Sequence, residues 1–357
     1  MLVMIRRLLL VLPILPLLAG CNLLQLTPTS QVIRTRVAGI RAEPAEIGVG
    51  DSTTLSALVV HPEQPAPEFG QIWFSCVEAG GATGCLGLDF TSIDDVDGEE
   101  FDPTSLQFGV GESFIYSATG EVLEEAWAAL EPGDRVEGLT VLISVNLVRK
   151  SNEELQALLF ELITAFGAGD SDRAAEIGAE FGELVQDGVS AARRVVVSDK
   201  SEGEPGPTDC ATSELLPNTN PELTGLLLHL DPDGKDAGFG VGSVIFAAPG
   251  TDVVLRPVIS DTTVEDYLYI TTDDETLCRA ETPWFAWLSN GGSLDGDYSF
   301  IADAEDLDEA AGRPKINTLT LPEAEAFGDS IDLWLIVRDR RGGLDWNHWT
   351  LLPELRD

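Results

Sequence analysis

The sequence predicts a mostly β chain of two β-sandwich domains, the first interrupted by an inserted helical hairpin and both lying behind a cleavable N-terminal leader. Three observations predict it. Apolar residues alternate with period two in several short stretches, the clearest being Leu139, Val141, Ile143, Val145 and Leu147, as a strand with a core-facing side requires. The 35 glycines and 20 prolines punctuate these stretches with turns. Between Lys150 and Arg194 the period changes to that of a helix.

The leader comes first. Arg6 and Arg7 precede an apolar run from Leu8 to Ala19 that contains Pro13 and Pro16. This is a charged start, an apolar middle and a small-residue cleavage site, so residues 1–20 read as a signal peptide. A membrane-spanning helix needs about 20 apolar residues, and two prolines would break this shorter run. The residues Leu18-Ala19-Gly20-Cys21 resemble the lipobox of bacterial lipoproteins. That resemblance implies cleavage before Cys21, a diacylglycerol on its thiol and an acyl chain such as palmitate on its new amino group. Each buried methylene contributes about 0.8 kcal/mol, and stable anchoring takes more than one chain. The membrane is thus an expected partner through the lipid, and Asn22 favours the outer membrane, with cell-surface and periplasmic orientations both open. Residues 21–35 form a short polar tether; at about 3.3 Å per extended residue it keeps the first domain within roughly 45 Å of the bilayer.

The first domain is placed at residues 36–198. Residues 36–60 read as two strands joined through Pro44 and the Gly48-Val49-Gly50-Asp51 turn, with Leu55, Ala57 and Val59 on one face. Gln71 to Cys76, centred on Trp73 and Phe74, is a third strand, and a short helix is expected from Glu121 to Leu130. The helical insertion occupies about residues 151–188. Ser151 and Glu154 form a capping box, followed by Leu155, Leu158, Leu159, Leu162, Ile163 and Phe166 at helical spacing. A second helix from about Asp172 carries Ala174, Ile177, Phe181, Leu184 and Val185, and strand chemistry returns at Arg194-Val195-Val196-Val197. The two apolar stripes are expected to bury against each other and one side of the sandwich.

Residues 199–222, with Gly203-Glu204-Pro205-Gly206-Pro207, form the linker, and residues 223–357 the second domain. Gly50, Leu55, Ala57 and Val59 are echoed by Gly250, Leu255, Pro257 and Ile259, and Trp73-Phe74 by Trp284-Phe285, which predicts a duplicated sandwich. Ile331, Leu333, Leu335 and Val337 alternate into Asp339-Arg340-Arg341-Gly342-Gly343, and Leu344 to Leu351 return as the closing hairpin. The run Leu335-Ile336-Val337-Arg338-Asp339 before Gly342-Gly343, with the Pro44, Gly50, Leu55 and Trp73 layout, resembles bacterial Ig-like and PKD-like domains over about 200 residues. The resemblance implies Ig-like sandwiches that act in adhesion, recognition or as envelope spacers, and it transfers no catalytic residue.

Charge excludes one class of partner. With 61 acidic and 21 basic residues the net charge is -40, and such a field repels nucleic acid. Of the five cysteines, the anchor takes Cys21, leaving four that allow three pairings. Those taken here are Cys76–Cys85, closing a glycine-rich loop, and Cys210–Cys278, tying the linker to the second domain; exported proteins keep such bonds. No CxxC spacing supports zinc.

Catalysis finds no motif. His61, His229 and His348 are the imidazoles, none within HExxH, and no GxSxG elbow occurs. The chain therefore reads as a non-enzymatic envelope lipoprotein serving recognition, adhesion or structure, with an envelope protein or a glycan as candidate partner. The competing reading is a lipid-anchored glycan-active hydrolase using a carboxylate pair. No cofactor is expected beyond Ca2+, for which Asp231, Asp233 and Asp236 alternate before and after Gly234, although an ordinary acidic turn reads the same way. Trp334, Trp346 and Trp349 form an expected aromatic recognition patch, Trp334 pointing outward if Leu333 and Leu335 point in.

Overall fold

The computed structural model describes residues 28–63, 65–77, 107–131, 134–135, 138–200, 217–229, 237–260, 263–270, 276–300 and 316–354. The chain is mostly β. Strands β1 (Arg36–Glu43), β2 (Glu46–Ile47), β3 (Ser52–Val60), β4 (Gly70–Val77), β5 (Gln107–Val110) and β6 (Ser113–Ser117) precede helix α1 (Glu121–Ala129). Then β7 (Leu139–Val148) and β8 (Val189–Val197) flank α2 (Asn152–Ala168) and α3 (Ser171–Gln186). These strands make a three-stranded sheet, β1-β3-β6, and a five-stranded one, β2-β8-β7-β4-β5. Ile40 and Leu55 from the first meet Trp73, Ile143 and Val195 from the second in a shared core.

The second sandwich repeats the plan. It comprises β9 (Leu223–His229), β10 (Ala237–Gly240), β11 (Val244–Ala247), β12 (Asp252–Ile259), a hairpin of β13 (Asp266–Ile270) and β14 (Thr276–Ala280), β15 (Trp284–Ser289), β16 (Ser293–Leu294), β17 (Tyr298–Phe300), β18 (Asn317–Thr320), β19 (Ile331–Arg338) and β20 (Leu344–Pro353). Its sheets are β10-β9-β12-β18-β16 and β11-β20-β19-β15-β17. In the first sandwich β3 lies between β1 and β6, as β12 lies between β9 and β18; β7 lies between β4 and β8, as β19 lies between β15 and β20. Short β2 and β11 each pair in parallel with the last strand of their sandwich. Gly50 and Gly250 both hold positive φ, 89° and 71°, just before β3 and β12, a backbone region glycine enters without a steric penalty. Leu55 and Leu255 are fully buried in the two cores, as the sequence echo requires. The tryptophan echo is displaced. The core counterpart of Trp73 is Trp287, while Trp284 is half-buried outside that core.

The helical hairpin forms as its signals predict. Ser151 Oγ accepts from the Glu154 amide at 3.2 Å, and the Glu154 carboxylate accepts from the Ser151 amide at 2.8 Å. Leu155, Ile177 and Phe181 pack on Ile72, Phe74 and Val148, so the hairpin covers the outer face of the five-stranded sheet. For that reason β7 is buried on both faces rather than one, Leu142 and Val148 as well as Val141 and Ile143. The apolar stripe of α2 is wider than the surface it meets. Phe160, Ile163 and Phe166 stay 72, 60 and 66% exposed, against the expectation that Ile163 and Phe166 turn inward.

The segment from residue 36 to 60 holds three strands, not two, because the chain after the cis Glu43–Pro44 bond crosses as β2 to the opposite sheet. Leu55 and Ala57 face the core, and the other side of β3 is buried at its end, at Leu58 and Val60. Leu58 and Val60 join Ala286, Leu288, Trp334, Ile336 and Leu344 of the second sandwich in a second apolar cluster. This cluster is a seam between the sandwiches, and Val32 is buried in it. The tether is held there too. Thr29 and Ser30 donate from their amides to the Asp297 carboxylate at 3.2 and 2.9 Å, and the Val32 amide donates to the Ser289 carbonyl at 2.8 Å. Residues 29–32 thus lie along the second sandwich, and the tether does not reach the first sandwich independently of it.

Candidate functional site

A polar network continues the apolar seam. Glu46, the first residue of β2, is buried and accepts from Ser198 Oγ, from Lys200 Nζ at 2.8 Å and from the Asn218 amide at 2.7 Å. Arg341, in the turn between β19 and β20, reaches Glu46 at 3.7 Å, Glu265 at 3.2 Å and Glu281 at 3.3 Å. Asp339 accepts from Asn218 Nδ2 at 3.1 Å and from the amides of Arg341 and Gly343 at 2.8 and 2.7 Å. Gly343 admits no side chain, because a Cβ would stand 2.8 Å from the Thr219 carbonyl and 2.0 Å from the Asp339 carboxylate. The closing hairpin is therefore pressed against residues 218–220 and, through them, against the first sandwich.

Burial, then Asp339 and Glu265, push the Glu281 carboxyl from 4.5 up to about 8 against the pull of Arg341. At neutral pH its contact with Arg341 is mainly a hydrogen bond to an uncharged carboxyl. Because the folded chain holds a proton that the unfolded chain has lost, this group's stabilisation is full below about pH 4.5 and falls as pH rises towards 8. Asp339, pushed upward by burial, adds the same sign. Glu281→Gln is expected to flatten the decline in urea-unfolding free energy between about pH 5 and 8; an unchanged slope would remove Glu281 as its source.

Beside this network a cleft of about 450 Å³ opens between the sandwiches. Its walls are β1, around Gly39 and Ile40; β8, with Arg193 and Arg194; Trp284 of β15; and the closing hairpin, with Arg338 and Arg340. A second hollow of about 180 Å³ shares Trp284 and Arg338 with it and adds Arg36 and Tyr298. Arg193 and Arg338 are fixed by main chain. Arg193 donates from its Nη atoms to the carbonyls of Ile40 and Gly342, and Arg338 Nη2 to that of Ala38 at 2.8 Å. The Nε of each is buried without a partner. Burial pulls Arg193 down to about 10, with Arg338 pulling the same way and Asp339 opposing; burial lowers Arg338 too. Arg338 lies over the Trp284 ring at 5.4 Å, and Tyr298 meets that ring edge-on at 5.4 Å. These arginines stand with Asp339 in the wall of one cleft, in a chain whose net charge is -40.

The predicted site residues fare unequally. Trp349 is fully buried in the second core, its Nε1 donating to the Gly240 carbonyl at 2.9 Å. Trp334 does point away from that core, as alternation requires, but the first sandwich covers it and leaves it 4% exposed. Trp346 packs partly against the same seam, so the expected patch of Trp334, Trp346 and Trp349 is not a surface. The parity argument holds, and what it could not include is the second layer beyond the strand. Asp231, Asp233 and Asp236 lie outside the described residues, as does Cys21. Among the described residues no group of three or more His, Cys, Asp or Glu side chains is gathered to hold a metal. Cys76 and Cys278 are each disulfide-bonded, and their expected partners, Cys85 and Cys210, lie outside the described residues. Sequence reasoning missed the cleft arginines, since they come from three separated strands; the one available signal was Arg338 to Arg341, three arginines within four residues of an acidic chain.

No family model and no curated protein matches the chain. Among solved structures, it aligns with the D0–D1 domain of intimin at 8% identity and a TM-score of 0.19, covering 88% of this chain and 98% of that one. The two tandem V-type regions of a v-region-containing chitin binding protein align at 9% identity and a TM-score of 0.23, covering 89 and 100%. The Yersinia pseudotuberculosis adhesin InvE aligns at 10% identity and a TM-score of 0.18, covering 88 and 58%. TM-scores this low describe no common superposition, and none of those proteins' properties transfers to this chain. Among the described residues no helix is long and apolar enough to cross a membrane.

Proposed function

We propose that the chain is a lipid-anchored, non-enzymatic recognition module of the bacterial envelope, in which two sandwiches act as one body and present the cleft between them. The cleft carries the reading, because it gathers arginines from both sandwiches beside Trp284 of the second while the chain as a whole is strongly acidic. The lipobox-like Leu18-Ala19-Gly20-Cys21 supports the anchor. With Thr29 held on the second sandwich, the eight residues from Cys21 span at most about 26 Å, so both sandwiches work close to the bilayer.

The anchor and the absence of catalysis are tested separately. Cys21→Ala is expected to move the protein from the membrane pellet to the soluble fraction and to abolish incorporation of labelled palmitate; retention in the pellet would overturn anchoring through Cys21. The anchored protein, reconstituted in vesicles, is expected to retain glycan or protein from an envelope extract without releasing reducing ends. Release of reducing ends with turnover would instead establish the competing glycan hydrolase, and retention of nothing would remove recognition.

A further inference from the structure

We propose that the cleft between the sandwiches binds a single sugar-acid residue at the end of a glycan, its carboxylate between Arg193 and Arg338 and its ring against Trp284. The inference rests on the recognition reading and names its ligand class.

Charge accounting points first to an anion. Arg193 and Arg338 are held by the carbonyls of Ile40, Gly342 and Ala38. Among the described residues neither has a carboxylate at ion-pair distance, although the chain has 61 acidic side chains. A guanidinium presents five N–H donors in a flat fork, and main-chain carbonyls engage only part of each fork here. Carbonyl partners leave the positive charge in place. Two such charges flank one cleft; Asp339 in its wall supports the charge on Arg193 and Arg338 opposes it, and a carboxylate lying between the two guanidinium groups would meet both in the planar geometry that guanidinium recognises.

The remaining features narrow the anion. Trp284 is half-buried, forms part of both hollows and is held by Arg338 and Tyr298. A fixed indole suits the apolar face of a sugar ring, combining a large apolar surface with little ordering cost. The cleft, at about 450 Å³, falls in the range of small-ligand sites, roughly 300–1,000 Å³. A long polyanion is disfavoured by the field of a chain carrying -40, so the ligand is one terminal charged residue rather than a run of them.

Calorimetric titration of the full lipidated protein in detergent with galacturonosyl-galactose, which carries one terminal carboxylate, decides the matter, with a neutral digalactoside and inorganic phosphate as parallel titrants. Galacturonosyl-galactose is expected to bind, the neutral sugar not, and phosphate much more weakly. Arg340 is exposed at the cleft wall, so Arg340→Glu is expected to fold with unchanged melting temperature and to weaken binding by about tenfold. Arg193→Gln is expected to abolish binding. Equal binding of the neutral sugar, equal binding of phosphate, or an unchanged Kd in Arg340→Glu would each overturn the proposal. If galacturonosyl-galactose fails to bind while the vesicle-anchored protein still retains envelope material, the ligand class is wrong and the recognition reading stands; loss of retention as well removes both.

Discussion

Replacing Trp73 by Ala is expected to lower the unfolding free energy by about 3–5 kcal/mol, the range for truncating a large aromatic in a packed core. Trp73 stands in the middle of β4 and is fully buried. Its ring stacks on Phe114 of the opposite sheet at 6.1 Å, and its Nε1 donates to the Gly111 carbonyl at 2.8 Å. The substitution therefore opens a cavity and also strands a carbonyl. Since ordinary domains are stable by only about 5–15 kcal/mol, a loss of this size takes a large share of the first sandwich's margin. Urea titration followed by tryptophan fluorescence checks it: the midpoint should fall with little change in slope, and a loss below about 1 kcal/mol would show that the core relaxes around the gap.

Glu46→Ala is expected to uncouple the two sandwiches at a cost of about 3 kcal/mol, the lower end for breaking a buried ion pair, because Arg341 keeps Glu265 and Glu281. Glu46 belongs to the first sandwich, Arg341 to the second, and Asn218 to the segment leading between them. Without the carboxylate, the buried Asn218 amide and Ser198 hydroxyl lose their acceptor, and Lys200 loses its partner. Scanning calorimetry should resolve two endotherms where the parent chain shows one. A single endotherm at the parent temperature would mean that the apolar seam around Trp334 and Leu58 holds the sandwiches together without the polar network. A Glu46→Gln variant, which keeps the shape and one acceptor oxygen, is expected to fall between the two.

The same two substitutions separate what could be read locally from what could not. Trp73 in a strand between turn residues, the capping box of Ser151 and Glu154, and the alternation from Leu139 to Leu147 all concern neighbours within one element, and the structure keeps each of them. Glu46 gave no such signal. Its partners Lys200, Asn218 and Arg341 lie far along the chain; pairing of β2 with β8 brings up Lys200, and docking of the closing hairpin brings up Arg341. Trp334 shows the boundary most directly. Alternation placed it on the outer side of β19, where it is, but burial by Leu58 and Val60 depends on the neighbouring sandwich.

From residue pattern alone followed a mostly β chain, the duplicated strand plan, the helical insertion between β7 and β8, and the absence of a catalytic motif. These rest on periodicities of two and 3.6 residues and on turn chemistry, which act over a few residues and are written into the order of the chain. The tertiary structure alone decided that the outer faces of β3 and β19 meet, that the tether runs along the second sandwich, and that arginines from β8 and the closing hairpin flank one cleft. Such contacts join residues hundreds of positions apart. Their energies depend on which faces remain uncovered after each sandwich has closed, and the pattern of a single strand carries no information about that.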